Sequence, residues 1–244
     1  MEDLQKKLDQ YIKKNHSKKE TEKINNSIPT IPYHLIEKVK IVTKSIEISN
    51  KNLFIDTGTN LGQGFEFFNK FFQTRYFDYL LIEPNPYCKK KIEDLINNDN
   101  YSDKIKYIKK AASIVDGKVK LYGLVEDHRG VLSDAATINK KHFSRIYKNN
   151  EEEAIEVECF DFIKMLKGLN NYDNIIIKLD IESSEYPILE NLIKNNKSIK
   201  NICHIFVEFH ARYMSFFNKI FYRYRERKIK IGLIKNKINF TEWV

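Results

Sequence analysis

The stretch Phe54-Ile55-Asp56-Thr57-Gly58-Thr59-Asn60-Leu61-Gly62-Gln63-Gly64 decides the fold of this chain. It predicts a buried strand that ends in an acid, then a glycine-rich turn, then an amphipathic helix carrying Phe65, Phe68 and Phe72. In doubly wound α/β folds, glycines at this corner let the backbone approach a ligand closely. We therefore predict an α/β fold with a ligand site at the end of its first strand.

The glycine spacing excludes two common nucleotide sites. Counted from Gly58, a dinucleotide G-x-G-x-x-G fingerprint would need glycines where Asn60 and Gln63 stand. No Lys-Ser or Lys-Thr pair follows the glycines, so a phosphate-cradling P-loop is excluded as well. The pattern Asp-x-Gly-x-Asn-x-Gly is instead typical of an S-adenosylmethionine (SAM) site, because that ligand has no pyrophosphate for the loop to wrap.

A second acid supports binding of an adenosine group. The apolar run Tyr79–Ile82 closes on Glu83, and Pro84-Asn85-Pro86 follows it. The run lies about 20–30 residues after the first loop, where an α/β unit places the acid that accepts from ribose hydroxyls. Glu83 alone could simply end a strand, but the ordered pair of acids favours adenosine binding.

Composition and charge are those of a basic globular protein. The chain has 244 residues, 42% of them hydrophobic, which is enough for one large domain with a proper core. The formal net charge of +9 permits attraction to nucleic acid, acidic glycans or anionic membranes. Because the basic residues do not gather in one arm or face, we expect a generally basic, solvated surface.

Cysteine usage and hydropathy give expectations about location. Cys88, Cys159 and Cys203 are odd in number and lack metal-ligand spacing, so we expect a reducing, cytoplasmic compartment. The N-terminus lacks the apolar core of a secretory signal, and no apolar run is long enough to span a membrane. Nothing in the sequence indicates the oligomeric state.

The chain divides into an appendage over residues 1–32 and one domain over 33–244. Four apolar residues of the appendage have the spacing of a short surface helix: Leu4, Leu8, Tyr11 and Ile12. In the domain, strand–helix alternation predicts a parallel-centred sheet with helices on both faces. The apolar runs at Lys228–Ile234 and Ile238–Val244 are expected to close it as an antiparallel hairpin, as in SAM-binding versions of this fold.

A second concentration of acids follows the strand predicted over Asn174–Asp180. That strand carries Lys178 and Asp180 toward its carboxyl end, where open α/β sheets bind ligands. A carboxylate that closes an apolar strand is expensive to bury without a task or a partner. Glu182 and Glu185 follow at the start of a helix, where acids also suit the positive end of the helix dipole.

The strand predicted over Ile202–Phe209 leads to a further pair of polar side chains. Glu208 and His210 alternate, so both point to one side of the strand, beside the end of its neighbour. We therefore expect them to meet Asp180.

In their order, these segments resemble the motifs of FkbM-type methyltransferases over about Asn52 to His210. The stretches that carry the resemblance are Phe54–Gly62, Ile82–Pro86, Ala111–Ser113 with Asp116-Gly117, Lys178–Glu185 and Val207–His210. The resemblance implies a class I methyltransferase (Rossmann-like) fold with a mostly parallel, seven-stranded sheet. It also implies SAM-dependent O-methylation, often of sugar or natural-product hydroxyls. The chain departs from the family pattern at Thr57 and Thr59, and at Ser183, where the family usually has Gly.

The site residues follow from both lines of reasoning. Asp56 would order the glycine loop, Glu83 would hold the ribose, and the backbone at Ala111 and Ala112 would lie beside the adenine. The predicted cofactor-binding residues are Asp56, Thr57, Gly58, Asn60, Gly62, Glu83, Pro84, Ala111, Ala112 and Asp180.

The predicted catalytic residues are Asp180, Glu182, Glu208 and His210. His210 is the natural proton acceptor near neutral pH. Alternatively, Asp180, Glu182 and Glu208 could hold Mg²⁺ or Mn²⁺, which would lower the pKa of the acceptor hydroxyl. The sequence leaves both accounts open. His128 lies on a predicted loop that could cover the site, although a solvated loop is the simpler interpretation.

The expected acceptor is a hydroxyl of a sugar, glycan or small molecule, and two alternatives remain. In an RNA 2′-O-methyltransferase, Lys178 and Asp180 would join a Lys–Asp–Glu set, and the positive charge would bind phosphates. The segment Tyr222–Arg227 could stack bases, but it also fits the end of an amphipathic helix predicted over Ala211–Arg225. An inactive scaffold for a partner protein would not need carboxylates at several strand ends.

Overall fold

The computed structural model describes residues 33–47, 49, 51–124, 136–142 and 151–243. The predicted N-terminal helix and His128 lie outside this part of the chain. The helices are α1 (Tyr33–Ser45), α2 (Gln63–Phe68), α3 (Lys89–Asn97), α4 (Phe162–Lys167), α5 (Glu185–Asn195) and α6 (Phe216–Lys235). The strands are β1 (Asn52–Thr57), β2 (Phe77–Ile82), β3 (Ile105–Ile108), β4 (Ala111–Ser113), β5 (Gly117–Leu121), β6 (Ile155–Asp161), β7 (Asn174–Leu179), β8 (Ile202–Val207) and β9 (Phe240–Glu242).

The main sheet has six strands in the order β3-β2-β1-β7-β8-β9, and every neighbouring pair is parallel. A smaller sheet has the order β4-β6-β5, with β5 antiparallel to β6. The main sheet grows outward in both directions from the β1–β7 pair, so the strand order reverses there. Open α/β sheets bind ligands at the carboxyl ends of the strands beside such a reversal. The predicted fold class is confirmed, with six strands in this sheet rather than seven.

Alternation along the central strands divides the core into two layers. Leu53 and Ile55 of β1 pack on the face covered by α4, α5 and α6. Phe54 packs on the opposite face, in a core covered by α1, α2 and α3. The ring centroid of Phe54 lies 4.9 Å from that of Phe68 and 5.2 Å from that of Tyr79. Both faces of β1 are therefore buried, which explains its continuous apolar run.

The predicted antiparallel C-terminal hairpin is wrong. The run Lys228–Ile234 lies within α6, and β9 joins the sheet edge parallel to β8. The run alternates like a strand, but only Ile229 and Leu233 in it are buried, whereas Ile231 is exposed. Residues four apart share one face of a helix, and this face packs toward α5.

The helix predicted over Ala211–Arg225 is displaced along the chain. A 3₁₀ turn occupies Ala211–Tyr213, and α6 then runs from Phe216 to Lys235. No helix in the described part of the chain is both long and apolar enough to cross a membrane. The three cysteines are free thiols.

Truncating buried and exposed residues of α6 tests its periodicity. Ile229→Ala and Leu233→Ala should each lower the free energy of unfolding by about 2–5 kcal/mol, because each leaves a cavity in the core. Ile231→Ala should change it by less than about 1 kcal/mol, because this side chain contacts solvent. Denaturant unfolding measures all three. Equal losses at the three positions would indicate a strand rather than a helix.

Candidate active site

A cavity of about 560 Å³ lies where the strand order of the main sheet reverses. Its volume is in the range of small-molecule sites, about 300–1,000 Å³. Two predicted cofactor residues, Asp56 and Gly62, lie behind its wall. The predicted site residues that line it are Thr57, Gly58, Asn60, Glu83, Pro84, Ala111, Ala112, Asp180, Glu182, Glu208 and His210.

The glycine loop is bound to strand ends on both sides. The Gly58 N–H donates to the Ile82 carbonyl at 3.0 Å, and the Asp180 N–H donates to the Thr57 carbonyl at 3.1 Å. Gly58 has φ +82°, and a Cβ there would lie 1.8 Å from the Asp180 carbonyl oxygen. Only glycine fits this contact, because a side chain would meet rigid backbone in a conformation that L-residues avoid.

Gly62 serves helix packing rather than the cavity wall. It has φ +97°, and a Cβ there would lie 2.0 Å from Cδ1 of Leu95, a residue of α3. The glycine therefore lets α3 pack closely beneath the loop.

The Glu83 carboxylate connects the loop to the end of β2. Its Oε2 accepts from the Asn60 N–H and its Oε1 from the Asn85 N–H, both at 2.8 Å. Burial raises the pKa of Glu83 to about 7, although both N–H donors oppose the shift. Each oxygen of an ionised carboxylate can accept two hydrogen bonds, so Glu83 keeps acceptor capacity for hydroxyl groups of a ligand.

Lys178 neutralises the ends of the two central strands. Its Nζ lies 3.0 Å from the Gly58 carbonyl oxygen, 3.1 Å from Asp56 Oδ1 and 3.4 Å from Asp180 Oδ2. Burial opposes the charged ammonium, but Asp56 and Asp180 outweigh it and raise the pKa of Lys178. Burial also raises the pKa of Asp56, against the attraction of Lys178. Three acceptor oxygens surround the three donors of the ammonium group, so this lysine links the glycine loop to the carboxyl ends of β1 and β7.

His210 lies at the centre of a carboxylate cluster. Its Nδ1 hydrogen-bonds Glu185 Oε1 at 2.5 Å. Its Nε2 lies 3.4 Å from Glu182 Oε2, 3.5 Å from Glu208 Oε1 and 3.6 Å from Asp180 Oδ1. The predicted meeting of Asp180, Glu208 and His210 is therefore present in the structure.

The charges in this cluster change the chemistry expected of His210. Burial would lower the pKa of His210, but the Glu185 and Glu182 carboxylates outweigh it and hold that pKa well above its ordinary value. Burial and the neighbouring Asp180 raise the pKa of Glu208 to about 8. An imidazole that already carries two protons cannot accept another, so these charges do not favour His210 as a base in the free protein.

Asp180, Glu182 and His210 also have the arrangement of metal ligands. One ligand atom from each lies within 4.8 Å of the other two. Carboxylate oxygens with one imidazole nitrogen suit Mn²⁺ and other divalent ions. Glu185 binds the opposite nitrogen of His210, as carboxylates commonly do behind a metal-ligating histidine. Among the described residues, the cluster therefore contains Asp180 and Glu182 as predicted from the sequence, with His210 in the place predicted for Glu208.

His142 is the site residue that sequence reasoning missed. Its Nδ1 lies 2.7 Å from Ser183 Oγ, and its Nε2 lies 3.4 Å from Glu182 Oε2. Burial, with the nearby charge of His210, lowers the pKa of His142 to about 3. No motif surrounds this residue in the sequence, so only the three-dimensional contact identifies it.

Ser183 is an unusual residue for its position in the turn after β7. Glu182 and Ser183 have φ +50° and +77°, a region where glycine is the favoured residue. The Ser183 hydroxyl contacts His142, and its backbone N–H donates to Glu185 Oε1 at 3.3 Å. These contacts hold the serine in the conformation that a glycine would adopt freely.

Comparison with known proteins gives one family. The family model described as "Methyltransferase FkbM domain" matches residues 56–228. The crystal structure of Methyltransferase FkbM from Methylobacillus flagellatus KT is similar, with 13% identity, a TM-score of 0.38, and coverage of 61% of this chain and 31% of that chain. This chain thus spans about a third of the length of that protein. No curated protein sequence matches significantly.

Removing the buried ammonium tests its structural role. Lys178→Met should lower the free energy of unfolding by about 3–5 kcal/mol, because it leaves Asp56 buried without a cation. Asp56→Asn in the same protein should recover part of that loss. Lys118→Met, which removes an exposed lysine from β5, should have no measurable effect. A Lys178→Met protein as stable as the wild type would contradict this structural role of Lys178.

Proposed function

Because the chain belongs to the FkbM methyltransferase family, we propose that it is a SAM-dependent O-methyltransferase acting on a hydroxyl of a sugar, glycan or small molecule. One observation carries the proposal. A glycine loop with an acceptor carboxylate, Glu83, and a carboxylate–imidazole cluster around His210 line the same cavity. The glycine loop with Glu83 suits binding of a nucleoside, and the cluster around His210 suits removal of a hydroxyl proton.

The residues of the loop side fit SAM. The Glu83 carboxylate keeps acceptor capacity for two ribose hydroxyls. Pro84, Ala111 and Ala112 add apolar wall beside it, as an adenine ring requires. The described residues of the wall contain no phosphate-binding loop, which agrees with a ligand that lacks a pyrophosphate.

The chemistry of SAM determines what the protein must do in methyl transfer. Bound SAM supplies an electrophilic methyl group on a sulfonium sulfur, so the protein must hold the acceptor oxygen in line and remove its proton. Asp180 connects the two sides of the site. Its carbonyl oxygen packs against Gly58, while its carboxylate faces His210 at 3.6 Å. This residue therefore sets the position of the acceptor cluster relative to the cofactor loop.

We assign activation of the acceptor to a divalent cation, Mg²⁺ or Mn²⁺, held by Asp180, Glu182 and His210. Glu208 lies beside them and could complete the ligand set. Such a cation would lower the pKa of a bound hydroxyl. The support is geometric: three ligand atoms converge, and Glu185 orients the imidazole from behind.

The RNA alternative has less support. That alternative requires Lys178 in a catalytic Lys–Asp–Glu set, but all three donors of this ammonium face oxygens of Asp56, Asp180 and Gly58. Incubation with SAM, a sugar panel and short capped RNA, followed by mass spectrometry, tests both acceptor classes. Methylated RNA without methylated sugars would overturn the proposed acceptor.

The pH dependence of SAM binding tests Glu83. Since the pKa of Glu83 is about 7 in the free protein, this group is mostly neutral at pH 6 and ionised at pH 8. An ionised carboxylate accepts more strongly from ribose hydroxyls, so the affinity should rise about fivefold over this interval. Calorimetry measures it. Glu83→Gln should weaken binding by about 1–3 kcal/mol and flatten the profile. An unchanged affinity and profile in Glu83→Gln would remove Glu83 from the site.

Charge removal at Asp180 tests the acceptor side. Asp180→Asn keeps the shape of the side chain but should reduce methyl transfer by about 100-fold or more, with SAM affinity largely intact. Asp173→Asn, at the exposed position just before β7, is the matched control and should retain full activity. Full activity in Asp180→Asn would refute the proposed acceptor site.

A chelator tests the cation separately. EDTA should abolish methyl transfer without weakening SAM binding, and Mg²⁺ or Mn²⁺ should restore the activity. Calorimetry with Mn²⁺ alone should show binding to the wild type and none to Glu182→Gln. If activity persists after EDTA, a protein group in the cluster removes the proton instead, and the metal assignment is wrong.

A further inference from the structure

An apolar ridge faces solvent along α6, and no described residue covers it. Six side chains form this outer ridge, and they are 45–82% exposed: Phe216, Phe217, Ile220, Tyr224, Ile231 and Ile234. Soluble proteins seldom leave a contiguous set of large apolar side chains in water. The ridge therefore indicates a binding surface.

The helix is apolar on two opposite sides. Tyr222, Ile229 and Leu233 point inward and are buried in the core. At 100° per residue, Ile220 and Ile231 lie on the opposite side of the helix from these three. The inner side packs in the core, and packing among the residues that the structure describes gives no reason for the apolar outer side.

Cations border the ridge. The positions around it on α6 are Lys219, Arg223, Arg227, Lys228 and Lys235. The only acid in this helix, Glu226, lies toward the inner side and accepts from Lys230 at 2.6 Å. Five of the seven basic residues of α6 thus lie around the ridge.

We infer that the outer ridge of α6 docks the protein on an anionic lipid bilayer. Phenylalanine and isoleucine side chains flanked by Lys and Arg are the pattern of a helix that lies in the membrane interface. The cations would meet anionic headgroups, and each adds attraction near such a surface. The charges interspersed along α6 keep it on the surface rather than across the bilayer.

Two other occupants fit the ridge less well. A second copy docked by two-fold symmetry would bring the same cations together, and α6 offers no outward acid to pair with them. RNA would match the charge, but Ile220, Ile231 and Ile234 have no ring on which a base could stack. Aliphatic side chains among cations match lipid.

The docking surface begins close to the cavity. Tyr213 lines the cavity, and Phe216 follows three residues later, a separation of at most about 11 Å. A bilayer bound along α6 would therefore lie near the mouth of the active site. The docking itself does not depend on the reaction proposed above.

Vesicle co-sedimentation of the full chain tests the inference. The wild type should bind phosphatidylcholine vesicles containing phosphatidylglycerol about tenfold more than pure phosphatidylcholine vesicles, and salt should weaken this binding. Phe217→Ser/Ile220→Ser should reduce binding about tenfold. Ile114→Ser/Val115→Ser removes two exposed apolar side chains elsewhere and should bind like the wild type. Thermal unfolding should show that both variants are folded.

Charge-reversal variants test separately whether the cations of α6 contribute to vesicle binding. Arg223→Glu/Arg227→Glu should abolish binding to the mixed vesicles, whereas Lys90→Glu/Lys91→Glu, with the same change in net charge on exposed positions of α3, should reduce it far less. Equal binding to neutral and mixed vesicles, or wild-type binding by the ridge variants, would overturn the inference. So would ridge-dependent dimerisation or RNA binding in the absence of vesicle binding.

Discussion

The structure depends on one buried cation at the centre of the sheet. Lys178 lies between Asp56 at the end of β1 and Asp180 just beyond β7, and its ammonium also binds the Gly58 carbonyl. A buried charge is tolerated only when it is paired, so this contact fixes the two strand ends relative to each other. The glycine loop and the first acid of the acceptor cluster both begin at these ends.

The protein combines a basic surface with an acidic site. Its net charge is +9, yet four carboxylates surround His210: Asp180, Glu182 and Glu208 in the cavity wall, and Glu185 behind it. The acidic cluster suits a cation and a hydroxyl group. The cations of α6 lie on the outer surface instead, so the two charge patterns serve different contacts.

The sequence predicted the central strands well and the C-terminus poorly, for one physical reason. β1 and β7 are buried on both faces, so their apolar runs are continuous and bounded by polar residues. The run Lys228–Ile234 alternates because α6 is apolar on two sides, and a helix with two apolar sides imitates the period of a strand. The sequence did not predict the parallel pairing of β9 either, because strand direction depends on the whole topology.

The sequence by itself determined the glycine loop, the acids at the strand ends and their order along the chain, because local spacing encodes a strand followed by a turn. The meeting of Asp180 with Glu208 and His210 was also expected from the sequence, but the tertiary structure alone decided the other contacts of the site. It placed Glu185 behind His210, brought His142 to Ser183, and turned Lys178 inward. Such contacts join residues tens of positions apart, and they exist only once the order of the strands in the sheet is set.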